Sequence, residues 1–156
     1  MTQYSGPERV LNNAPRFRNV SNVTAATLTL TPETSDYLYR LNKADGIAIA
    51  LPSLAAAEDV GIRYRFVIQT TFTSNLTITA QAGDLLYGNV FMVDTDSSNA
   101  VVNLSPDAVD DLILTCNGTT TGGLIHSVFD FEAISTTGWL VTGTNRHTSN
   151  VSTPFS

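Results

Sequence analysis

The sequence predicts an all-β fold, an antiparallel sandwich or barrel with a jelly roll favoured, led by an extended N-terminal arm. Three observations point there. Between Ile47 and Ile78 apolar residues alternate with others in three successive segments, the period that sorts side chains onto the two faces of a strand. Charged residues make up only 14% of the chain, and Thr is the commonest residue, a composition that suits strands better than solvated helices. Turn residues punctuate the chain into about nine or ten short strands, as sandwiches and barrels require. The connections are uneven in length, as the crossing loops of a jelly roll would be.

Residues 1–22 read as the arm. Arg9, Arg16 and Arg18 are three of the eight basic residues, and Gly6, Pro7 and Pro15 discourage both helix and central strand. Leu11 and Phe17, with Tyr4 and Val10, are apolar anchors that a solvating tail would not need. Fully stretched, such an arm reaches roughly 80 Å, against a domain radius of gyration of about 15 Å. We therefore expect it to order on a partner through Arg9, Leu11, Arg16, Phe17 and Arg18.

The domain spans 23–144. Residues 23–30 (VTAATLTL) alternate as a first strand, and 37–41 (YLYRL) as a second. Asp45-Gly46 suits a tight reversal. Ile47, Ile49 and Leu51 precede Pro52, and the Ala-rich loop 53–61 could form one helical turn. Ile62, Tyr64, Phe66 and Ile68 alternate with Arg63, Arg65, Val67 and Gln69, and Leu76, Ile78 and Ala80 follow. Leu85–Gly88 and Val90–Val93 read as separate short runs on either side of a glycine. Residues 100–104 and 112–116 are further strands, the second buried on both faces. Residues 117–123 (NGTTTGG) form a flexible hairpin loop, Ile125, Phe129 and Phe131 share a face, and Gly138–Val141 is the last strand. Residues 145–156 are a polar tail. With no regular repeat visible, solenoids and propellers are set aside.

At 156 residues the chain suits one domain that buries roughly two thirds of its surface. A single cysteine, Cys116, rules out a disulfide scaffold. The net charge of −6 argues against nucleic acid, no apolar run approaches the roughly 20 residues that span a bilayer, and the N-terminus lacks a secretory pattern. Synthesis and solubility in a cytoplasm are expected.

Catalytic constellations are missing, so no enzyme, cofactor or metal is expected. Asp94-x-Asp96-x-Ser98 opens like a calcium loop, but Asn99 and Ser105 occupy the places of the required glycine and bidentate acid. Asp107, Asp110 and Asp111 suit a solvated turn. Cys116 sits among apolar neighbours as a small buried hydrophobe. His126 and His147 have no local nucleophile or orienting group of the triad kind. A Gly-x-Ser-x-Gly elbow and a phosphate loop are both absent. Glu58, Glu132 and the aspartates could furnish a glycosidase pair only if the fold converged them. Arg63 and Arg65 share the outward face of their strand. They either pair with acids of a neighbouring strand or form a subunit interface, where arginine is enriched. Trp139 reads as core.

Gly46-Ile47-x-Ile49-x-Leu51-Pro52, Gly61-Ile62-x-Tyr64-x-Phe66-x-Ile68, Thr73-Ser74-Asn75-x-Thr77-Ile78 and Gly83-Asp84-x-Leu86-x-Gly88 form a pattern over the middle third of the chain. With the closing Gly138-Trp139-x-Val141 beside Gly143-Thr144, it resembles the capsid decoration (cement) and head-fibre proteins of tailed bacteriophages. That resemblance implies a virion protein on the capsid exterior, commonly a homotrimer, that clamps major capsid protein subunits. The alternative it leaves is a head-fibre, spike or tail-associated glycan-binding module, for which Tyr87, Phe91 and Trp139 are the aromatic candidates.

Overall fold

The computed structural model describes residues 19–81, 83–96 and 100–156, and within them the chain is nearly all β. Eleven strands form two packed sheets: β1 (Asn19–Val23), β2 (Thr27–Thr29), β3 (Tyr37–Leu41), β4 (Ile47–Ala50), β5 (Arg63–Ile68), β6 (Leu76–Thr79), β7 (Leu85–Asp94), β8 (Val101–Leu104), β9 (Ile113–Cys116), β10 (Val128–Ser135) and β11 (Gly138–His147). One sheet has seven strands in the order β1-β3-β5-β10-β11-β7-β8, and the other has four in the order β2-β4-β6-β9. The all-β sandwich stands as expected. The pairing does not: both sheets are mixed, and β1/β3, β3/β5, β2/β4, β4/β6 and β7/β11 run parallel.

The cause lies in where the turns send the chain. From β1 to β6 successive strands alternate between the two sheets, so each pair makes one coil and the next coil stacks on it in the same direction. Asp45-Gly46, expected to reverse the chain beside itself, instead carries it across to the facing sheet. The stacking lays like faces in register. Val23, Leu41 and Ile68 form one buried row, and in the opposite sheet Ile49 and Ile78 form another, extended by the partly buried Leu28. This is solenoid-like winding. It leaves no sequence repeat because the coils are unequal: Asn19 to Tyr37 is 18 residues and Tyr37 to Tyr64 is 27. A jelly roll, whose neighbours all run antiparallel, does not describe it.

Several boundaries shift for related reasons. The segment 23–30 is two strands rather than one, because the chain changes sheets between Val23 and Thr27. Residues 19–22, counted with the arm, belong to β1. The Ala-rich loop forms only a 3₁₀ turn, Ala57–Asp59. One turn cannot nucleate a helix alone, and the Asp59 carboxylate accepts the Ala55 and Ala56 N–H groups at 3.0 and 2.9 Å. A second 3₁₀ turn, Pro32–Thr34, precedes β3. β7 runs unbroken through Gly88, whose φ of +99° and close approach leave no room for a side chain. A Cβ there would lie 2.3 Å from the Val141 carbonyl oxygen of β11.

The core is aromatic on one side and aliphatic on the other. Tyr64, Phe66, Phe129, Phe131 and Trp139 of the large sheet face Ile47, Ile49, Leu76, Ile78 and Leu114 of the small one, all nearly fully buried. Ring centroids lie 5.5 Å apart for Tyr39–Phe66, 5.7 Å for Phe66–Phe131 and 5.9 Å for Tyr64–Trp139, close contacts of the kind that add to area burial. Trp139 is core, as its sequence context indicated. Ile125 is not: it sits half-exposed in the loop before β10, off the Phe129–Phe131 face.

The expected polar tail also differs. Residues 145–147 complete β11, and the chain then returns to cover the edge of β9. Phe155 is buried and bridges Leu114, and the Leu112 and Ile113 N–H groups donate to the Ser156 carbonyl at 2.9 and 2.7 Å. An exposed strand edge is a template for aggregation, and this segment occupies it.

Candidate functional site

The outward face of the seven-stranded sheet gathers the site residues that the described chain contains. Alternation along β5 buries Tyr64, Phe66 and Ile68 and turns Arg63, Arg65 and Val67 outward. Register then builds rows across the sheet. Val20, Leu38, Arg65, Asp130, Thr142 and Asn89 lie side by side across six strands. Asn22, Arg40, Val67, Val128, Thr144, Phe91 and Asn103 form the adjoining row across all seven.

Arg63 and Arg65 on this face are paired with acids. Arg65 and Asp130 are direct cross-strand partners, and the guanidinium grips the carboxylate with two bonds, Nε–Oδ1 at 2.6 Å and Nη2–Oδ2 at 2.7 Å. Arg63 bonds Asp36 in the turn before β3 and stands opposite Glu132. Arg40 donates to Gln69 Oε1 at 3.0 Å. The hydrogen bonds Arg65 donates to Asp130 hold its pKa above the ordinary value, and the bond Arg63 donates to Asp36 does the same for Arg63. Both arginines thus pair with acids inside the chain, one of the two arrangements their spacing allowed. Asp130 had a sequence signal, since it alternates with Phe129 and Phe131; Asp36 had none, because its turn geometry (φ +66°) is set by the fold.

Between these pairs the face mixes the polar Asn89, Asn103, Thr142 and Thr144 with apolar side chains. Val20 (60% exposed), Phe91 (47%), Val101 (59%) and Ile134 (46%) stand out, with Leu38, Val67, Val128 and Leu140 partly covered around them. Of the three aromatic candidates, Phe91 and Tyr87 lie on this face and Trp139 is buried. Arg9, Leu11, Arg16, Phe17 and Arg18 lie outside the described residues.

Cys116, Asp107 and Asp111, also considered for chemistry, are accounted for locally. Burial pushes the Cys116 thiol up to about 12, so it is an inert core residue. Asp107 and Asp111 take up N–H groups of their own turn: Val109 N donates to Asp107 Oδ1 at 2.8 Å and Asp107 N to Asp111 Oδ2 at 2.7 Å. The loop 117–123, expected to be flexible, is pinned. The fully buried Asn145 accepts the Gly123 N–H at 2.8 Å and donates to the Thr121 carbonyl at 2.9 Å. Asn117 binds the loop from inside, its Oδ1 accepting the Thr119 and Thr121 N–H groups. Asn145 gave no sequence signal, because nothing in a polar segment marks a strand continuing to its end.

Among the described residues no helix is long and apolar enough to cross a membrane. Comparison with known proteins finds no matching family model, no matching curated protein and no matching solved structure.

Proposed function

We propose that the protein is a structural virion component, a capsid decoration protein that binds the outer shell of a tailed bacteriophage and bridges major capsid protein subunits. In this reading it acts without chemistry, as a homotrimer, and docks through the outward face of the large sheet together with the N-terminal arm. The sequence resemblance supplies the partner. The observation that carries the docking role is the face itself, with exposed Val20 at one edge, Phe91 and Val101 at the other, and the Arg65–Asp130 pair between them. Covering the Arg65–Asp130 pair still costs its hydration, but the two bonds it keeps offset part of that cost, where an unpaired charge would have no such offset.

Size explains why the arm belongs to the mechanism. Seven strands at the usual spacing give a face about 29 Å wide, and about five residues of depth give roughly 17 Å. That is on the order of 500 Å², short of the roughly 800 Å² per partner of a stable interface. Contacts from residues 1–18 would close the gap, and repetition over a symmetric shell would multiply it by avidity.

The test is sedimentation of purified protein with undecorated shells assembled from the major capsid protein of the same phage. Full-length protein should bind saturably, and a chain starting at Asn19 should bind at least about tenfold more weakly. Equal binding by both would remove the arm, and no binding by either would remove the function. The truncation ends with Arg18 because β1 begins at Asn19, so the sheet keeps its edge strand.

A further inference from the structure

The large sheet ends at β8, and that edge is left open. Sheet edges are normally blunted by lysine, proline, a bulge or a covering segment. Residues 101–104 (VVNL) hold no charge and no proline, and their register on β7 runs without a shift. The β9 edge, by contrast, is covered by Phe155 and Ser156 of the same chain. The Asp94 N–H donates to the Ala100 carbonyl at 2.9 Å, and residue pairs along an antiparallel ladder alternate between bonded and non-bonded. Val102 and Leu104 therefore bond β7, whereas Val101 and Asn103 turn their N–H and C=O groups to the open side. No described residue takes up those groups. Val101 is 59% exposed and Val102 36%, on opposite sides of the strand, so an incoming strand meets apolar surface on both.

Charge narrows the choice of that strand. The chain leaves β8 into the turn where the carboxylates of Asp107, Asp110 and Asp111 lie within 4.8 Å of one another. No described cation pairs with them. The edge thus suits an extended basic segment with adjacent apolar residues. A second copy's β8 brings no cation, but residues 8–14 (ERVLNNA) do: Arg9 precedes Val10 and Leu11, and Arg16 and Arg18 follow. Lying between Pro7 and Pro15, each of these residues has an N–H to give to a ladder. We propose that Val10, Leu11 and their neighbours add a strand to β8 of an adjacent copy, main chain giving the bonds and arginines the charge match. The arm's own domain is out of reach. The arm joins at β1, the opposite edge, so a strand beyond β8 lies seven spacings away, about 34 Å. Leu11 to Asn19 is eight residues, about 28 Å at full stretch. Copies that each pass an arm to the next make head-to-tail contacts, which close into a ring. This deepens the homotrimer reading above and rests on it for the number of copies.

The test is amide hydrogen exchange of the full-length protein at low and high concentration, with light scattering for mass. Val102 and Leu104, bonded to β7, are internal controls and should be protected throughout. Val101 and Asn103 should exchange at least about tenfold more slowly in the associated protein and lose that protection on dilution. V101P/N103P should stay monomeric with its controls protected, because proline is tolerated where an edge N–H points away from the sheet. R9E/R16E/R18E should weaken association at least about tenfold. Fast exchange at Val101 and Asn103 at every concentration would overturn the inference. So would their protection in a monomer, which would mean a cis contact. Protection in a chain starting at Asn19 would also overturn it, because β8 would then pair with another β8. The wild-type measurement decides the matter even if V101P/N103P fails to fold. No shell is present, so failure here leaves shell binding to be decided by its own experiment.

Discussion

Replacing Asn145 with alanine tests whether the end of β11 organises the loop 117–123. The side chain is fully buried and makes two strong links to that loop, accepting from Gly123 N–H and donating to the Thr121 carbonyl, with a weaker contact to Cys116 Sγ at 3.5 Å. Truncation strands a buried donor and a partly buried acceptor. Each costs about 1–3 kcal/mol, and the small void adds somewhat less, so the loss should be about 3 kcal/mol. Against a total stability of about 5–15 kcal/mol that is a large fraction. For a chain of this size it lowers the melting temperature by roughly 6–12 °C. Thermal and urea unfolding followed by circular dichroism measure the loss, and hydrogen exchange at the Gly123 amide should quicken specifically. A loss below about 1 kcal/mol, or an unchanged Gly123 amide, would show that the loop holds itself through Asn117 and that Asn145 is incidental.

Other expectations follow from the same geometry. Cys116 should resist a thiol reagent in the native state and react fully on unfolding. Its folded pKa is raised, so the unfolded thiol ionises first as pH climbs and stability falls. Between about pH 8 and about pH 10 the wild type should lose about 1.4 kcal/mol more than C116A, and equal losses would contradict the burial. Burial also raises the Asp84 carboxyl, which accepts the Leu54 N–H at 3.1 Å. Charging a raised acid costs stability as pH rises through its folded pKa, so D84N should melt at or above wild type near neutral pH and lose that advantage in acid. Arg65→Ala should cost about 1 kcal/mol or less in the isolated protein, because the Asp130 pair is over a third exposed; a much larger loss would make the pair a folding element. Deleting residues 151–156 should destabilise by at least about 2 kcal/mol from Phe155 alone and promote aggregation through the uncovered β9 edge, measured by urea unfolding and light scattering.

Strands were legible wherever alternation was local. Residues 37–41 and 76–79 match their predicted runs, and the outward placement of Arg63 and Arg65 followed from Tyr64 and Phe66 facing in. Partners were not legible, because pairing depends on where turns aim the chain. Asp45-Gly46 carries equally good chemistry for a hairpin and for the crossing it makes, and that ambiguity turned an expected antiparallel sheet into stacked coils. Gly88 reads as a break in one dimension, yet in the sheet it is the residue that lets β7 and β11 close. At the candidate face, alternation located the arginines, but only the fold could bring Asp36 to Arg63.

The docking account stands or falls on heat disruption of undecorated shells with and without saturating protein. A bridging protein should bind at a fixed number of copies per shell and raise the temperature at which the shell comes apart. Saturable binding with an unchanged disruption temperature, or no binding at all, would contradict it.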